Sequence, residues 1–408
     1  MKILYINHYA GSPKHGMEFR PYYLAREWIR AGHEVHMLAA DYSHLRQINP
    51  TIHSKVADEL VDGITYTWCK TPPYEGNGVS RVKNIFTFLW RAWRQSGRYQ
   101  NDYRPDVVIA SSTYPLDTLL AARIAKKTGA KFLYEVHDLW PLTPVEVGGM
   151  SPKHPFIRLL QWAEDYGYRT ADKVVSMLPC AKAYMMEHGM AADKYVVIPN
   201  GVVVSEWTSQ TQTIPALHDL QIIALREQGH FLIGYAGGHG LANALDVLLD
   251  AMVALKDLPV SVVLVGEGPD KAKLIEEAKA KGLRNVHFLS GIPKGAVPNF
   301  LSKLDALYIG WRQLPIYRFG INPNKLFDYM MSAKPVIHSV TAGNDMVAEA
   351  ECGISVPAED VPAIANAIRQ MMNTPPAQRE RMGAAGKRFV LEKHDYEILA
   401  ARFVAAMK

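Results

Sequence analysis

The stretch Phe231-Leu-Ile-Gly-Tyr-Ala-Gly-Gly-His-Gly-Leu-Ala-Asn243 joins an apolar run of strand length to a turn holding three glycines, and an amphipathic segment from Ala244 to Leu255 follows it. An apolar run, glycine punctuation and then helical periodicity is the sequence form of a β-strand feeding a helix through a tight turn. Gly237, Gly238 and Gly240 let backbone approach a ligand closely, and the helix behind them brings unpaired amides, so the turn suits a phosphate. Its spacing fits neither the Walker pattern nor the dinucleotide fingerprint. The same rhythm recurs on both sides. Upstream, strands are predicted at Lys2 to Asn7, Val35 to Ala39, Asp106 to Ala110, Lys131 to Val136, Lys173 to Met177 and Tyr195 to Ile198. Downstream they are predicted at Ser261 to Val265, Val286 to Leu289, Ala306 to Ile309 and Pro335 to Val340. Strands alternating with amphipathic helices predict an α/β protein of βαβ units with parallel sheets. Two doubly wound, Rossmann-like domains are expected, residues 1–203 and 204–385, joined near Pro199-Asn-Gly-Val202, with 386–408 a helix returning to the first. The segment from Glu206 to Gly229 has poor periodicity and is expected to bridge them.

The 408 residues, 48% hydrophobic and 21% charged, exclude disordered and fibrous classes. Three dispersed cysteines, Cys69, Cys180 and Cys352, form no C-x-x-C pair, which argues against a disulfide framework or a zinc site and predicts a reduced, cytoplasmic setting. No run approaches the roughly 18 apolar residues of a membrane span. The net charge of +5 is compatible with phosphate-bearing partners or an anionic membrane surface, and nothing points to nucleic acid.

Strand ends of such folds direct functional groups into a crevice. The first strand runs into Gly11-Ser-Pro-Lys-His-Gly-Met-Glu-Phe-Arg20, where Gly16 lets backbone approach a phosphate and Glu18 and Arg20 are candidates to contact a second substrate; an ordinary strand-to-helix turn is the plainer reading. The fourth strand delivers His137 and Asp138, with Glu135 and Glu146 nearby, or else a simple capping turn. Gly291-Ile292-Pro293 offers backbone groups to a nucleobase. In Gly320-Ile-Asn-Pro-Asn-Lys-Leu-Phe-Asp-Tyr-Met-Met331, Asn322 is the expected helix cap and Pro323 the first helical residue. Lys325 in the first turn, with Arg318 just upstream, adds cations to an end that is already electropositive; a bound phosphate would resolve that conflict, and Asp328 would reach a ribose. A solvated Lys325–Asp328 pair is the bland alternative. Between Ser80 and Arg94, Val82, Ile85, Phe86, Leu89, Trp90 and Trp93 recur on one helical face with Arg81, Lys83, Arg91 and Arg94 off it, either a core-packing face or an interfacial membrane helix.

Taken together these stretches resemble glycosyltransferase family 4, retaining nucleotide-sugar enzymes of GT-B architecture, in which two Rossmann-like domains face each other across a cleft. The resemblance rests on Gly16-Met-Glu18 with Leu24-Ala25 and Gly32-His-Glu-Val35, on Ala171-Asp-Lys-Val-Val175, on Val197-Ile-Pro-Asn-Gly-Val202, on Val265-Gly-Glu-Gly-Pro269, and on Lys325-Leu-Phe-Asp-Tyr-Met330 with Lys334-Pro-Val-Ile337. It covers nearly the whole chain. The family's paired glutamates fall at Gly320 and Asp328, and its donor-binding Arg and Lys at Gly238 and Asn243. Arg318 and Lys325 look like substitutes, as in the bacterial surface-polysaccharide branch similar to N-acetylfucosaminyl transferases.

What the resemblance implies is a retaining, metal-independent transferase without a resident cofactor, acting in surface polysaccharide synthesis. The donor would be a nucleoside diphosphate sugar, such as a UDP-linked N-acetylated hexosamine, and the acceptor a glycan or polyprenyl-linked chain. Arg318 and Lys325 would face the diphosphate together with Gly16, Gly237 and Gly238, while Asp328 would hold the ribose. His137 would contact the transferred sugar or the acceptor. Placement would be cytoplasmic or peripheral at the inner face of the cell membrane. A GT-B 2-epimerase and a catalytically silent subunit are the competing expectations.

Overall fold

The computed structural model describes residues 1–16, 19–76, 78–209 and 212–408, and the chain divides into two compact units, Met1–Asn200 with Tyr396–Lys408, and Gly201–Asp395.

The first unit is built on an eight-stranded sheet of β1 (Lys2–Ile6), β2 (Glu34–Ala40), β3 (Val56–Val61), β4 (Ile64–Cys69), β5 (Val107–Ala110), β6 (Lys131–Val136), β7 (Lys173–Ser176) and β8 (Tyr195–Val197), in the order β3-β4-β2-β1-β5-β6-β7-β8. Ile3, Leu4, Tyr5 and Ile6 are all buried, as a parallel strand covered on both faces requires. Sequence reading missed β3 and β4, the one antiparallel pair of this sheet among the described residues. Their turn is Asp62-Gly63, both at positive φ (50° and 85°), which is the geometry of a two-residue hairpin. The helices include α1 (Phe19–Arg30), α2 (Val79–Arg98) and α3 (Asp117–Thr128).

On α2 the packing stripe is Ile85, Phe88, Ala92 and Ser96, whereas Phe86, Trp90 and Trp93 are 44%, 55% and 43% exposed. The expected core face is thus displaced by about one position. Small Ala92 and Ser96 let the helix approach its neighbours, and this turns the bulkier aromatic stripe outward.

The second unit carries a six-stranded sheet of β9 (Phe231–Ala236), β10 (Val260–Val265), β11 (Val286–Leu289), β12 (Ala306–Gly310), β13 (Val336–Ser339) and β14 (Gly353–Val356), ordered β11-β10-β9-β12-β13-β14 with every pairing parallel. The strand order reverses between β9 and β12, the place where doubly wound sheets bind ligands. The expected bridge after Glu206 is instead structured within this unit. Helix Ala216–Glu227 buries Ile222 and Leu225 in its core. Leu217, Leu220 and Ile223 stay exposed on the same helix, so apolar residues on both faces blurred its period.

The chain crosses between units twice, and the crossing segments pair, Val202 N donating to His394 O at 2.9 Å. The return falls at Tyr396 rather than near 386, because Pro376–Lys393 is one helix packed on helix Asn324–Met331. Helix Tyr396–Met407 then packs on α1, with Trp28 Nε1 donating to Ala400 O at 3.2 Å and Phe403 edge-on to Trp28.

Candidate active site

At the carboxyl end of β9 the chain turns through Gly237-Gly238-His239-Gly240, and this loop lies backbone to backbone on Gly266-Glu267-Gly268, which follows β10. A Cβ on Gly266 would sit 1.9 Å from the Gly237 carbonyl oxygen, and one on Gly268 would sit 2.3 to 2.7 Å from the His239 backbone. Glycine is therefore needed at both positions by contact. Lys271 secures the second loop by donating to Gly266 O (2.8 Å), Leu289 O (3.0 Å) and Glu267 Oε1 (2.9 Å).

Helix Asn324–Met331 meets this turn. Tyr329, one turn beyond Lys325, has its hydroxyl 2.8 Å from the Ala236 amide, from which it accepts, and this fixes the helix against the end of β9. Lys325 Nζ donates to the Tyr235 hydroxyl at 2.9 Å and to Asn243 Oδ1, and lies 4.7 Å from the Tyr235 ring centre. The Tyr235 hydroxyl and Asn243 Nδ2 both donate to Gly238 O, at 2.7 and 2.9 Å. A Cβ on Gly237 would lie 3.5 Å from Lys325 Cε. The structure thus brings together Gly237, Gly238, Asn243 and Lys325, and adds Tyr235 and Tyr329. Among the described residues no carboxylate is within ion-pair distance of Lys325, and burial pushes its pKa down to about 8. His239, fully buried beside them, is held largely neutral by desolvation, its pKa lowered to about 4.

The remaining second-unit candidates are placed differently. Asp328 is half-buried, and burial raises its pKa to about 6. The expected cap at Asn322 is not formed: the cap position is Pro323, whose extended backbone (φ −79°, ψ 126°) suits a residue that precedes a helix, and the helix begins at Asn324. Arg318 is exposed in the turn Pro315–Phe319, donates to Pro315 O at 2.7 Å and lies over the Phe319 ring at 4.2 Å. Gly320 has φ 103° and ψ 165°, a conformation essentially reserved for glycine, which is a backbone reason for the absence of a glutamate there. Asn344 brackets that loop, Oδ1 accepting from Ile321 N at 2.7 Å and Nδ2 donating to Ile321 O at 3.2 Å. Ile292 is half-buried at the edge of the core.

In the first unit, β6 delivers His137, whose Nε2 is 2.8 Å from Ser111 Oγ and 3.4 Å from Glu135 Oε2. Glu135 is fully buried. Ser111 donates to it at 2.6 Å, Tyr5 donates through a short contact, and Arg20 donates twice at 2.9 and 3.0 Å. Arg20 also donates to the carbonyls of Pro199 and Ile198. This guanidinium beside Glu135 holds the carboxyl well below its usual range. Arg20 is thereby removed from the acceptor role expected of it: it is 4% exposed and ties β6 to the segment after β8. Gly16 closes a short helical turn at φ 73°, its amide donating to Ser12 O at 3.0 Å. Asp138 is exposed. Glu18 lies outside the described residues.

Sequence reading missed Ser111, Tyr235 and Tyr329; a hydroxyl two residues before a glycine turn, or four after the key lysine, was the available signal. Among the described residues one trio has metal-ligand spacing, Glu164, Asp165 and His188 in the first unit. These three are already engaged with Gln161, Tyr168 and Tyr184.

Residues 15–201 match the family model described as glycosyl transferase 4-like domain, and residues 230–374 match glycosyl transferases group 1. WcaI of Escherichia coli K12, named for colanic acid biosynthesis glycosyl transfer, is 24% identical over 373 residues, covering 86% of this chain and 87% of its own. The D-rhamnosyltransferase WbpZ of Pseudomonas aeruginosa is 36% identical over 143 residues, 35% of each chain. Among solved structures, Alr3699/HepE of Anabaena in complex with UDP superposes with a TM-score of 0.68 at 15% identity, covering 100% of this chain and 99% of that one. With both units accounted for in this way, the chain is a glycosyltransferase of GT-B fold, related to bacterial surface-polysaccharide transferases.

Proposed function

We propose that the second unit binds the diphosphate of a nucleoside diphosphate sugar beside Lys325, and that the protein transfers the sugar with retention to a glycan or polyprenyl-linked acceptor of surface polysaccharide synthesis. The observation that carries this reading is the Lys325 ammonium, half-buried, held by two neutral oxygens and without a counter-anion among the described residues. A cation in a helix first turn is electrostatically unfavourable, and a diphosphate is the complement that reverses this. As the glycosidic bond breaks, negative charge grows on the leaving diphosphate, and a donor already in place stabilises it without reorganising. Arg318, on the adjoining turn, is assigned to the same phosphates, and Gly237 and Gly238 to close backbone approach. Asp328 is assigned to the ribose, Ile292 to the base, and His137 with Asp138 to the transferred sugar or acceptor.

UDP in the Anabaena neighbour supports a uridine donor, and a UDP-linked N-acetylated hexosamine is the first to test. The relative named for D-rhamnose transfer makes a nucleotide-linked rhamnose the second. The reading requires no metal, because side-chain cations supply the charge, so turnover should persist in EDTA. A thermal-shift panel of nucleotide sugars, followed by product analysis with and without acceptor, tests the whole. Epimerised free sugar in the absence of acceptor would replace transfer by epimerisation. Failure of every donor to bind would make the chain a non-catalytic subunit.

A further inference from the structure

The side chains behind His137 decide which of its ring nitrogens carries the proton. Ser111 Oγ stands at their centre, 2.6 Å from Glu135 Oε2, 3.1 Å from Asn7 Nδ2 and 2.8 Å from His137 Nε2. A hydroxyl has one proton to give and two lone pairs to fill, so these three neighbours exhaust it. Asn7 is a donor here, because its Oδ1 accepts from the Tyr9 amide at 3.0 Å and its Nδ2 also donates to Ser111 O at 2.8 Å. Glu135 is an acceptor only, its carboxylate held ionised by Arg20, which donates to Oε1 through Nε and Nη2 at 3.0 and 2.9 Å. The Tyr5 hydroxyl, 3.5 Å from Ser111 Oγ, gives its own proton to Glu135. The Ser111 proton therefore goes to Glu135, and His137 Nε2 donates to Ser111. The opposite tautomer would draw the serine proton to Nε2 and leave two acceptors facing each other at 2.6 Å. Water cannot relieve that contact, since Asn7, Ser111 and Glu135 are all buried.

We infer that Glu135 and Ser111 are positioning residues for His137: they fix its neutral imidazole as the Nε2–H form, so that the ring meets its ligand through Nδ1. An Nδ1 lone pair selects a hydrogen-bond donor, a sugar hydroxyl or an amide N–H, and rejects a carbonyl or phosphate oxygen. An imidazole in water offers either nitrogen as the acceptor, and the hydrogen bond at one nitrogen fixes the role of the other. Here the fold makes that choice before any ligand arrives. Arg20 acts one layer further back. By keeping Glu135 ionised within a buried site it keeps that residue an acceptor, and the order of donors and acceptors runs from Arg20 through Glu135 and Ser111 to the ring. The statement about the ligand rests on the assignment of His137 to the transferred sugar or acceptor; the tautomer does not.

The test is a two-bond proton–nitrogen correlation spectrum of the full chain labelled with nitrogen-15 histidine, recorded at pH 8 without ligand. Among the 15 histidines, the His137 signals are those missing from His137→Gln. A protonated Nε2 with an unprotonated Nδ1 is expected. The Nδ1–H pattern, an average of the two forms, or protonation of both nitrogens would overturn the inference. Glu135→Gln supplies a second arm. Because Arg20 holds Oε1, the carboxamide should keep its oxygen there and turn its NH2 toward Ser111, whose proton then points to Nε2. The His137 pattern should accordingly invert to Nδ1–H. Retention of the wild-type pattern in the folded variant would overturn the role given to Glu135, and if the variant does not fold the wild-type spectrum alone decides. In turnover of UDP-N-acetylglucosamine, Glu135→Gln and His137→Gln should each lower kcat about tenfold, and the double variant no further, because both remove the same acceptor. Full additivity would overturn the link between the two residues. Absence of wild-type turnover would count against the proposed donor and not against the tautomer, which is read without ligand.

Discussion

Lys325 is more costly to keep charged in the folded protein than in the unfolded chain, and the direction of that cost makes two separable predictions. Its folded pKa, about 8, lies below the ordinary 10.5, so between these values the unfolded chain binds the extra proton. Stability from this residue is therefore lowest below about pH 8 and rises through that window. Lys325→Met should melt no lower than wild type at neutral pH, with its relative advantage shrinking as pH rises; a large loss of melting temperature would show that the lysine is structural. Donor binding should run the other way, KM for donor rising above about pH 8 in the wild type and staying flat in Lys325→Arg, whose guanidinium does not titrate. At fixed pH, Lys325→Ala should lower kcat roughly a hundred- to thousandfold, the effect of removing one preorganised donor to developing charge. Asp328→Asn should mainly raise KM, because a ribose contact is the same in ground and transition states. Steady-state kinetics on the variants distinguishes these outcomes. Arg20 gives the opposite pattern. Removing it by Arg20→Ala leaves Glu135 buried without its guanidinium, with Ser111, Tyr5 and His137 as its remaining partners, and should cost about 3 kcal/mol of first-unit stability by chemical denaturation.

At the scale of elements, the proposed donor site depends on two turns in van der Waals contact. Gly268→Ala places a methyl against the His239 backbone and should destabilise the second unit by about 1–3 kcal/mol, with donor affinity falling further, as calorimetry would read. The parallel strands and the glycine turn after β9 were legible because strand period and glycine punctuation are local properties. The hairpin β3–β4 was also legible in Asp62-Gly63, yet it was passed over because its edge strand alternates only weakly. Arg20 was unreadable: a guanidinium in a strand-to-helix segment looks the same whether it meets a substrate or a glutamate 115 positions later. The contact between Lys325 and Asn243, 82 positions apart, was equally out of reach, although each residue was suspected separately. Gly320 shows a third limit, since a φ of 103° is a property of the folded loop and not of its composition.

For the molecule as a whole, each unit has its own sheet and core, so each should respond separately to ligand and truncation. A nucleoside diphosphate at a hundred times its dissociation constant adds about 2.7 kcal/mol to whatever binds it. In differential scanning calorimetry, UDP should raise a transition assignable to residues 201–395. Removing residues 396–408 should lower the transition of the first unit, because Tyr396, Leu399 and Phe403 are buried with Trp28 on α1. Helix Tyr396–Met407 also sets a timetable for synthesis. At about 5–20 residues per second, roughly 10 to 40 seconds separate emergence of Asn200 from that of the helix that completes its unit. During that interval the newly made first unit presents Tyr23 and Trp28 to solvent, and a holdase selective for exposed aromatics on nascent chains would find its substrate there.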